Sequence, residues 1–191
     1  MTILSEILHF NETFVTEKHY EQYATTKFPD KHIVILTCMD TRLTELLPKA
    51  MNLKNGDAKI IKSAGAVVTH PFGGIMRSLL IAVYELQADE VYIVGHHDCG
   101  MSSINTENIK AKMVNRGIDE SLFTTLKYSG VDMEDWLHGF QDVTESVKMS
   151  VDAVRNHPLM DNKVPVHGLV AHPDTGKLDI IVDGYAYNSE Q

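Results

Sequence analysis

A strand–helix–strand pattern in the first half of the sequence constrains the fold of this chain more than any other feature. The apolar run Ala58 to Ile61 leads into the small-residue stretch Ser63 to Ala66. Apolar residues then recur at helical spacing from Ile75 to Leu86, and Asp89 to Gly95 is a second strand-like run. Because two strands joined by a crossover helix pair in parallel, the sequence predicts a parallel sheet.

Three further runs extend this sheet. His32 to Thr37 is short, apolar and rich in β-branched residues, which is typical of a strand buried on both faces. Near the C-terminus, Val166 to Ala171 and Lys177 to Val182 are separated by a Pro-Asp-Thr-Gly turn, which indicates an antiparallel hairpin. We therefore expect an α/β fold with a mainly parallel central sheet of about four parallel strands, plus an antiparallel C-terminal strand, flanked by helices.

Helical spacing accounts for most of the remaining chain. A short helix that contains or ends near Pro48 follows Cys38, and residues 100–157 are mostly helical in pattern, including Val143 to Val154. The segment Thr2 to about Ala24 carries apolar residues at helical spacing with polar residues between them. We expect one domain over residues 1–191, in which residues 1–26 form an N-terminal helical arm.

Composition excludes several classes of function. The 191 residues include 17 Lys and Arg against 26 Asp and Glu, a formal net charge of 17 − 26 = −9. Without a Lys/Arg run we expect no nucleic-acid partner, and the apolar runs are far shorter than the roughly 20 residues of a membrane-spanning helix. The first 14 residues contain no Lys or Arg and are interrupted by Glu6, unlike a signal peptide, so we expect a cytoplasmic protein.

The two cysteines of the chain both follow predicted strands. Cys38 comes directly after the first strand, and Cys99 comes four residues after Gly95. In open α/β sheets, ligands bind at the carboxyl ends of the parallel strands, so the two thiols can meet there. With His96, three residues before Cys99, they make a Cys₂His set suited to one Zn²⁺ ion with a fourth position for water or substrate.

Other interpretations of these residues stay open at this stage. Cys38 could be an ordinary buried cysteine, and the His96-x-x-Cys99 spacing could be an accident of a loop. His97 and Asp98 could compete as ligands, although His96 has the better spacing. A disulfide is not expected, because a reducing compartment favours free thiols.

Asp40 and Arg42 lie two residues apart, just beyond Cys38. In an extended turn they could pair, with the guanidinium fixing one carboxylate oxygen and leaving the other free to accept a hydrogen bond from a zinc-bound water. The alternative is a solvated acid and base at the start of a helix.

These residues resemble a known family. Cys-x-Asp-x-Arg followed by Gly-His-x-x-Cys-Gly is the signature of the β-class carbonic anhydrases, and CMDTRL with GHHDCG matches it position by position. The resemblance implies that Cys38, His96 and Cys99 bind zinc, that Asp40 and Arg42 are the catalytic dyad, and that Gly65 belongs to the substrate-binding backbone. It also implies a homodimer or a dimer of dimers in which the N-terminal helices embrace the partner.

The resemblance further implies the reaction. CO₂ would be hydrated reversibly to bicarbonate and a proton through zinc-bound hydroxide, with one Zn²⁺ per chain. Two thiolates neutralise the formal charge of the ion, so activity is expected to rise on the alkaline side. In some members of the family the aspartate swings onto the zinc at lower pH, which makes Asp40 a candidate fourth ligand in a closed state.

Two departures from the family pattern concern substrate binding. Lys62-Ser63 stands where the family usually has Arg-Asn, and Lys offers a point charge in place of a planar fork. No glutamine lies between Tyr23 and Thr37, where many plant-type members use one to bind substrate.

Other functions are compatible with parts of this pattern. An enzyme that hydrolyses carbon disulfide or carbonyl sulfide would use the same metal set, and a non-catalytic zinc-binding regulatory protein would need only the ligands. A thiol redox protein would be expected to carry Cys-x-x-Cys, which the sequence does not contain. The sequence assigns no proton shuttle among the ten histidines.

Overall fold

The centre of the protein is a five-stranded sheet. The computed structural model describes residues 2–188, and the side chains of residues 2–186. The strand order is β2-β1-β3-β4-β5, in which the first four strands are parallel and β5 is antiparallel to β4. This confirms the predicted architecture. The strands are β1 (Ile33–Cys38), β2 (Ala58–Ser63), β3 (Glu90–His96), β4 (Val166–Ala171) and β5 (Leu178–Val182).

Helices cover both faces of the sheet. They are α1 (Ile3–Thr16), α2 (Leu43–Ala50), α3 (Gly74–Tyr84), α4 (Thr106–Asn115), α5 (Ser121–Tyr128), α6 (Met133–Leu137), α7 (Val143–Arg155) and α8 (Gly184–Asn188). Successive residues of a strand point to opposite faces. Val34 and Leu36 of β1 accordingly pack in the same apolar cluster as α3 and α7, whereas Ile35 packs with Leu43 and Leu47 of α2 on the other face.

The strand ends differ from the sequence prediction in a way that matters for the site. The predicted first strand stops at Thr37, but β1 includes Cys38, and β3 runs one residue past the predicted Gly95 to include His96. Both residues continue the ladder, because Cys38 pairs with Ser63 and His96 pairs with Ala171. Two of the expected metal ligands are thus held by strand backbone, not by a loop.

The N-terminal arm has the predicted helical character. Helix α1 opens with a capping box in which the Thr2 hydroxyl accepts a hydrogen bond from the Ser5 amide at 3.2 Å. A 3₁₀ turn, His19–Tyr23, follows it. No residue of α1 is buried, and large apolar side chains such as Ile3 and Leu4 stay 76% and 66% exposed. The apolar face of α1 therefore has no cover within the described part of this chain.

None of the helices that the structure describes is both long enough and apolar enough to cross a membrane.

Helix α7 approaches the sheet closely over Gly168 of β4. A Cβ atom built on Gly168 would lie 2.8 Å from Cγ1 of Val147 and 3.1 Å from Cγ2 of Val151. Gly168→Ala should therefore lower the free energy of unfolding by about 1–3 kcal/mol, since an added methyl overpacks a dense core. Urea unfolding followed by circular dichroism measures this loss.

Gly74 provides the control, because a Cβ atom there meets nothing within 4 Å and Gly74 is the first residue of α3. Gly74→Ala should leave stability unchanged or raise it by up to about 1 kcal/mol. Equal stability of the two variants would contradict the close packing of α7 on β4.

Candidate metal centre

Two sulfur atoms and one imidazole nitrogen converge at the carboxyl ends of β1 and β3. Cys38 ends β1, His96 ends the neighbouring parallel strand β3, and Cys99 follows three residues later. The Sγ atoms of Cys38 and Cys99 lie 3.8 Å apart as free thiols. The ligand atoms of all three residues lie within 4.8 Å of one another, and all three side chains are buried. The three residues that the sequence predicted as ligands are therefore brought together.

The His96 ring is oriented by its own backbone neighbour. Its Nδ1 lies 2.8 Å from the His97 carbonyl oxygen. A carbonyl oxygen only accepts hydrogen bonds, so Nδ1 carries a proton, and in the neutral ring Nε2 is left with a lone pair. Nε2 is buried and has no hydrogen-bond partner among the described residues. A buried, unpartnered acceptor beside two thiols has the donor chemistry that a metal ion would satisfy.

The protonation of the two thiols is unequal. The pKa of Cys38 is lowered, mainly because the Cys99 thiol donates a hydrogen bond to it. Burial opposes this shift, and the nearby His96 ring and the backbone amides of Asp40 and Gly65 add to it. The hydrogen bond to Cys38 and burial raise the pKa of Cys99. These opposite shifts favour one thiolate and one thiol in the pair, and a divalent cation would favour deprotonation of the second.

Asp40 and Arg42 form the predicted pair, but with a different geometry. The guanidinium binds the carboxylate in a fork, with Nε 3.1 Å from Oδ1 and Nη2 2.9 Å from Oδ2. The Arg42 amide also donates to Oδ1 at 2.9 Å. The expectation that one oxygen stays free is therefore wrong, because the short loop aligns both oxygens with the planar guanidinium.

The charge of Asp40 follows from this pairing. Hydrogen bonds from Arg42 lower the pKa of Asp40 to about 2, so the carboxylate is ionised at any ordinary pH. Oδ2 lies 3.8 Å from Nε2 of His96. It accepts one hydrogen bond from Arg42, and a carboxylate oxygen can accept a second. Asp40 therefore still presents an acceptor beside the Cys₂His cluster.

Asp98 is a member of this site that the sequence did not assign. Arg42 Nη1 donates to Asp98 Oδ2 at 2.8 Å, and Nη2 donates to the Asp98 carbonyl oxygen at 2.9 Å. The carboxylate of Asp98 thus pairs with Arg42 and does not join the ligand cluster. His97, the other predicted competitor, has an exposed ring whose centroid lies 5.9 Å from that of His172.

An apolar wall stands over Gly65. This residue has a φ of 72°, in the left-handed region that favours glycine. A Cβ atom there would lie 2.9 Å from Cε1 of Phe140 and 3.0 Å from Cγ of Met101. Both side chains also pack against the cluster that contains Cys38 and Cys99. Gly65 therefore lies where the predicted ligands meet two apolar side chains, neither of which the sequence had singled out.

The side chains of Lys62 and Ser63, which depart from the usual Arg-Asn of the family, make few hydrogen bonds in the structure. The Lys62 ammonium donates to Thr44 Oγ1 at 3.3 Å. The Ser63 hydroxyl is buried without a hydrogen-bond partner in the described part of the chain. Neither side chain has a hydrogen bond to the Cys₂His cluster among these contacts.

Comparison with known proteins identifies the family. The family model described as carbonic anhydrase matches residues 33–178. A Bacillus subtilis protein named "Putative carbonic anhydrase YvdA" is 60% identical over 185 residues, which cover 97% of this chain and 94% of that protein. The crystal structure of a β-carbonic anhydrase isoform from Trichomonas vaginalis superimposes with a TM-score of 0.88 at 38% identity, covering 97% of this chain and all of that one. The chain belongs to the β-carbonic anhydrase family.

A protein named for a different activity is also similar. A carbon disulfide hydrolase from Acidithiobacillus thiooxidans is 27% identical over 157 residues, 78% of this chain and 76% of that protein.

Adjacent histidines allow a direct test of the metal centre. After loading with excess zinc, His96→Ala should retain only a small fraction of the zinc that wild type retains, because it lacks the unpartnered Nε2 and two thiols alone bind the ion more weakly. His97→Ala, its matched control, changes an exposed neighbour and should retain as much zinc as wild type. Metal analysis by mass spectrometry after dialysis makes the comparison, and full zinc content in His96→Ala would contradict the assignment.

Proposed function

We propose that this protein catalyses the reversible reaction CO₂ + H₂O ⇌ HCO₃⁻ + H⁺ with one Zn²⁺ ion per chain bound by Cys38, His96 and Cys99. The observation that carries the proposal is the buried Cys₂His donor set with an arginine-held carboxylate beside it. Family membership supports the same reaction.

The donor chemistry favours zinc over the hard cations. Thiolates and imidazole suit Zn²⁺, whereas Mg²⁺ and Ca²⁺ prefer oxygen ligands. Three protein donors leave one coordination position open, the arrangement typical of catalytic zinc sites. When bound, zinc supplies an acidic water molecule whose pKa falls from about 15.7 towards 7.

Asp40 orients the reacting water in this proposal. Its Oδ2 faces the ligand cluster, is ionised, and can accept the hydrogen bond of a water or hydroxide that attacks CO₂. Arg42 fixes both carboxylate oxygens and so limits rotation of the acceptor. If that pair opened, Asp40 could become a fourth ligand in a closed state; the described conformation has the pair intact.

The surroundings of Gly65 suit a small apolar substrate. The backbone at Gly65 adjoins Cys38, and Phe140 and Met101 cover it from the other side. Neutral CO₂ gains little from charge, and a net charge of −9 gives bicarbonate no general attraction. We therefore assign Gly65 to the substrate-facing backbone, with Phe140 and Met101 as its apolar wall.

Hydrolysis of carbon disulfide or carbonyl sulfide is the second candidate. The similarity to a carbon disulfide hydrolase supports considering it, since the two reactions need the same metal chemistry. A regulatory zinc protein without activity is less consistent with the Asp40–Arg42 pair, because a site that only holds metal has no need of an oriented acceptor.

We further propose a homodimer, or a dimer of dimers, assembled through the arm of residues 1–26. The exposed apolar face of α1 supports this, since a helix that buries none of its apolar side chains in its own chain is stabilised by covering them elsewhere. The free thiols 3.8 Å apart fit a reducing compartment, and we assign the protein to the cytoplasm.

The reaction is tested by stopped-flow CO₂ hydration on the zinc-loaded protein across pH. Activity should rise from mildly acid to alkaline pH, because two thiolates neutralise the ion and make its water less acidic than at a three-histidine site. Asp40, with a pKa of about 2, stays ionised throughout and should not contribute to this rise. Turnover of carbon disulfide in the absence of CO₂ hydration would favour the second candidate.

Asp40→Asn separates metal binding from catalysis. The variant should keep one zinc per chain and lose about 10²-fold or more in kcat. The neutral amide has a single oxygen, and when Arg42 binds that oxygen no anionic oxygen is left to accept the hydrogen bond of the water. Asp174→Asn, which neutralises an exposed carboxylate on the β4–β5 turn, should retain wild-type kcat. Full activity in Asp40→Asn would remove Asp40 from the mechanism.

The arm is tested by charge on its apolar face. Leu4→Glu combined with Leu8→Glu should convert the dimer to a monomer in light scattering, because both side chains lose their apolar contact surface. Thr13→Glu adds charge to an exposed position on the opposite, polar side of α1 and should stay dimeric. A dimer of unchanged stability in the double variant would show that assembly does not depend on the arm.

A further inference from the structure

The Arg42 guanidinium joins two loops. Four of its five N–H groups are engaged: Nε and one Nη2 hydrogen bind Asp40, and Nη1 with the second Nη2 hydrogen binds Asp98. Asp40 lies in the loop after Cys38, whereas Asp98 lies in the turn between His96 and Cys99. The side chain that fixes Asp40 is thus itself anchored to the segment that carries the other two predicted ligands.

The pairing with Asp40 alone does not fix the orientation of Arg42 relative to the segment from His96 to Cys99. Asp40 and Arg42 are two residues apart in one loop, so their hydrogen bonds persist if the loop moves as a unit. Contacts to Asp98 come from a separate strand end, through both a carboxylate oxygen at 2.8 Å and a carbonyl oxygen at 2.9 Å. Among the hydrogen bonds of Arg42 in the described part of the chain, these are the ones that relate its orientation to the segment that carries Cys99.

We propose that Asp98 is a positioning residue that holds the Arg42 guanidinium in the orientation in which it binds both oxygens of Asp40. Its effect on turnover rests on the proposed CO₂ hydration, whereas its effect on Arg42 does not.

Backbone conformation and exposure agree with this role. Asp98 has a φ of 52°, in the left-handed region that Asp and Asn adopt more readily than other non-glycine residues. Its side chain is 83% exposed, compared with 18% for Asp40, so it lies at the rim of the site. An exposed ion pair contributes little to stability, so a loss of Asp98 should change the position of Arg42 without unfolding the protein.

Two substitutions separate the hydrogen bond from the charge. Asp98→Asn keeps a side-chain acceptor oxygen and tolerates the left-handed backbone, whereas Asp98→Gly tolerates the same backbone but removes the side-chain acceptor and keeps only the carbonyl oxygen. Asp174→Asn is the control for loss of an exposed carboxylate. Each variant is prepared zinc-loaded, with one zinc per chain verified.

The first readout is the ¹H–¹⁵N NMR signal of the Arg42 Nε–H group, assigned by its loss in Arg42→Lys. The chain has four arginines, Arg42, Arg77, Arg116 and Arg155, so few signals compete. Wild type, Asp98→Asn and Asp174→Asn should show a slowly exchanging signal, and exchange in Asp98→Gly should be about three- to fivefold faster. Unchanged exchange in Asp98→Gly would overturn the proposal.

The second readout is kcat for CO₂ hydration. Asp98→Gly should lower kcat by about three- to fivefold with KM little changed, whereas kcat of Asp98→Asn should equal that of wild type. An equal loss in both Asp98 variants would contradict a hydrogen-bonding role, and an equal loss in Asp174→Asn would attribute the effect to surface charge. If wild type shows no CO₂ hydration, the proposed function fails, and the NMR readout still decides the role of Asp98.

Discussion

The buried Nε2 of His96 is the group on which the rest of this site depends. A buried nitrogen lone pair without a hydrogen-bond partner costs free energy, typically about 1–3 kcal/mol, the cost of desolvating one polar group. A buried Cys38 thiolate beside this nitrogen adds a desolvation cost of its own. A cation removes the cost, because it satisfies the ring nitrogen and both sulfur atoms at once. Metal binding and local stability of the strand ends are thereby linked.

The sheet makes this convergence possible. Neighbouring parallel strands end at the same edge, and the ladder continues through Cys38, which pairs with Ser63 of β2, and through His96, which pairs with Ala171 of β4. Arg42 then connects the two loops beyond these strands through Asp40 and Asp98. A rigid ligand set and an oriented acceptor therefore come from one edge of one sheet, as a site of precise geometry requires.

Local patterns in the sequence were sufficient for the sheet and for the three converging residues. Continuous hydrophobic runs indicate strands because alternate residues of a buried strand face two apolar layers. The ends of the predicted strands then indicate where side chains from different strands can meet. The pairing geometry of Asp40 was not accessible in this way, because the fork depends on the turn between Asp40 and Arg42. The pairing of Asp98 with Arg42 and the positions of Phe140 and Met101 were missed for a related reason: these contacts join segments distant in sequence, and only packing brings Phe140 from beyond α6 to Gly65. The roles of Cys38, His96, Cys99, Asp40, Arg42 and Gly65 in binding and catalysis stay predictions.

X-ray absorption spectroscopy of the zinc-loaded protein tests the central claim most directly. Our account predicts two sulfur ligands at about 2.3 Å, one imidazole nitrogen at about 2.0–2.1 Å, and a fourth light atom that exchanges with an added anion. A first shell of four non-exchangeable protein ligands, or a shell without sulfur, would contradict it.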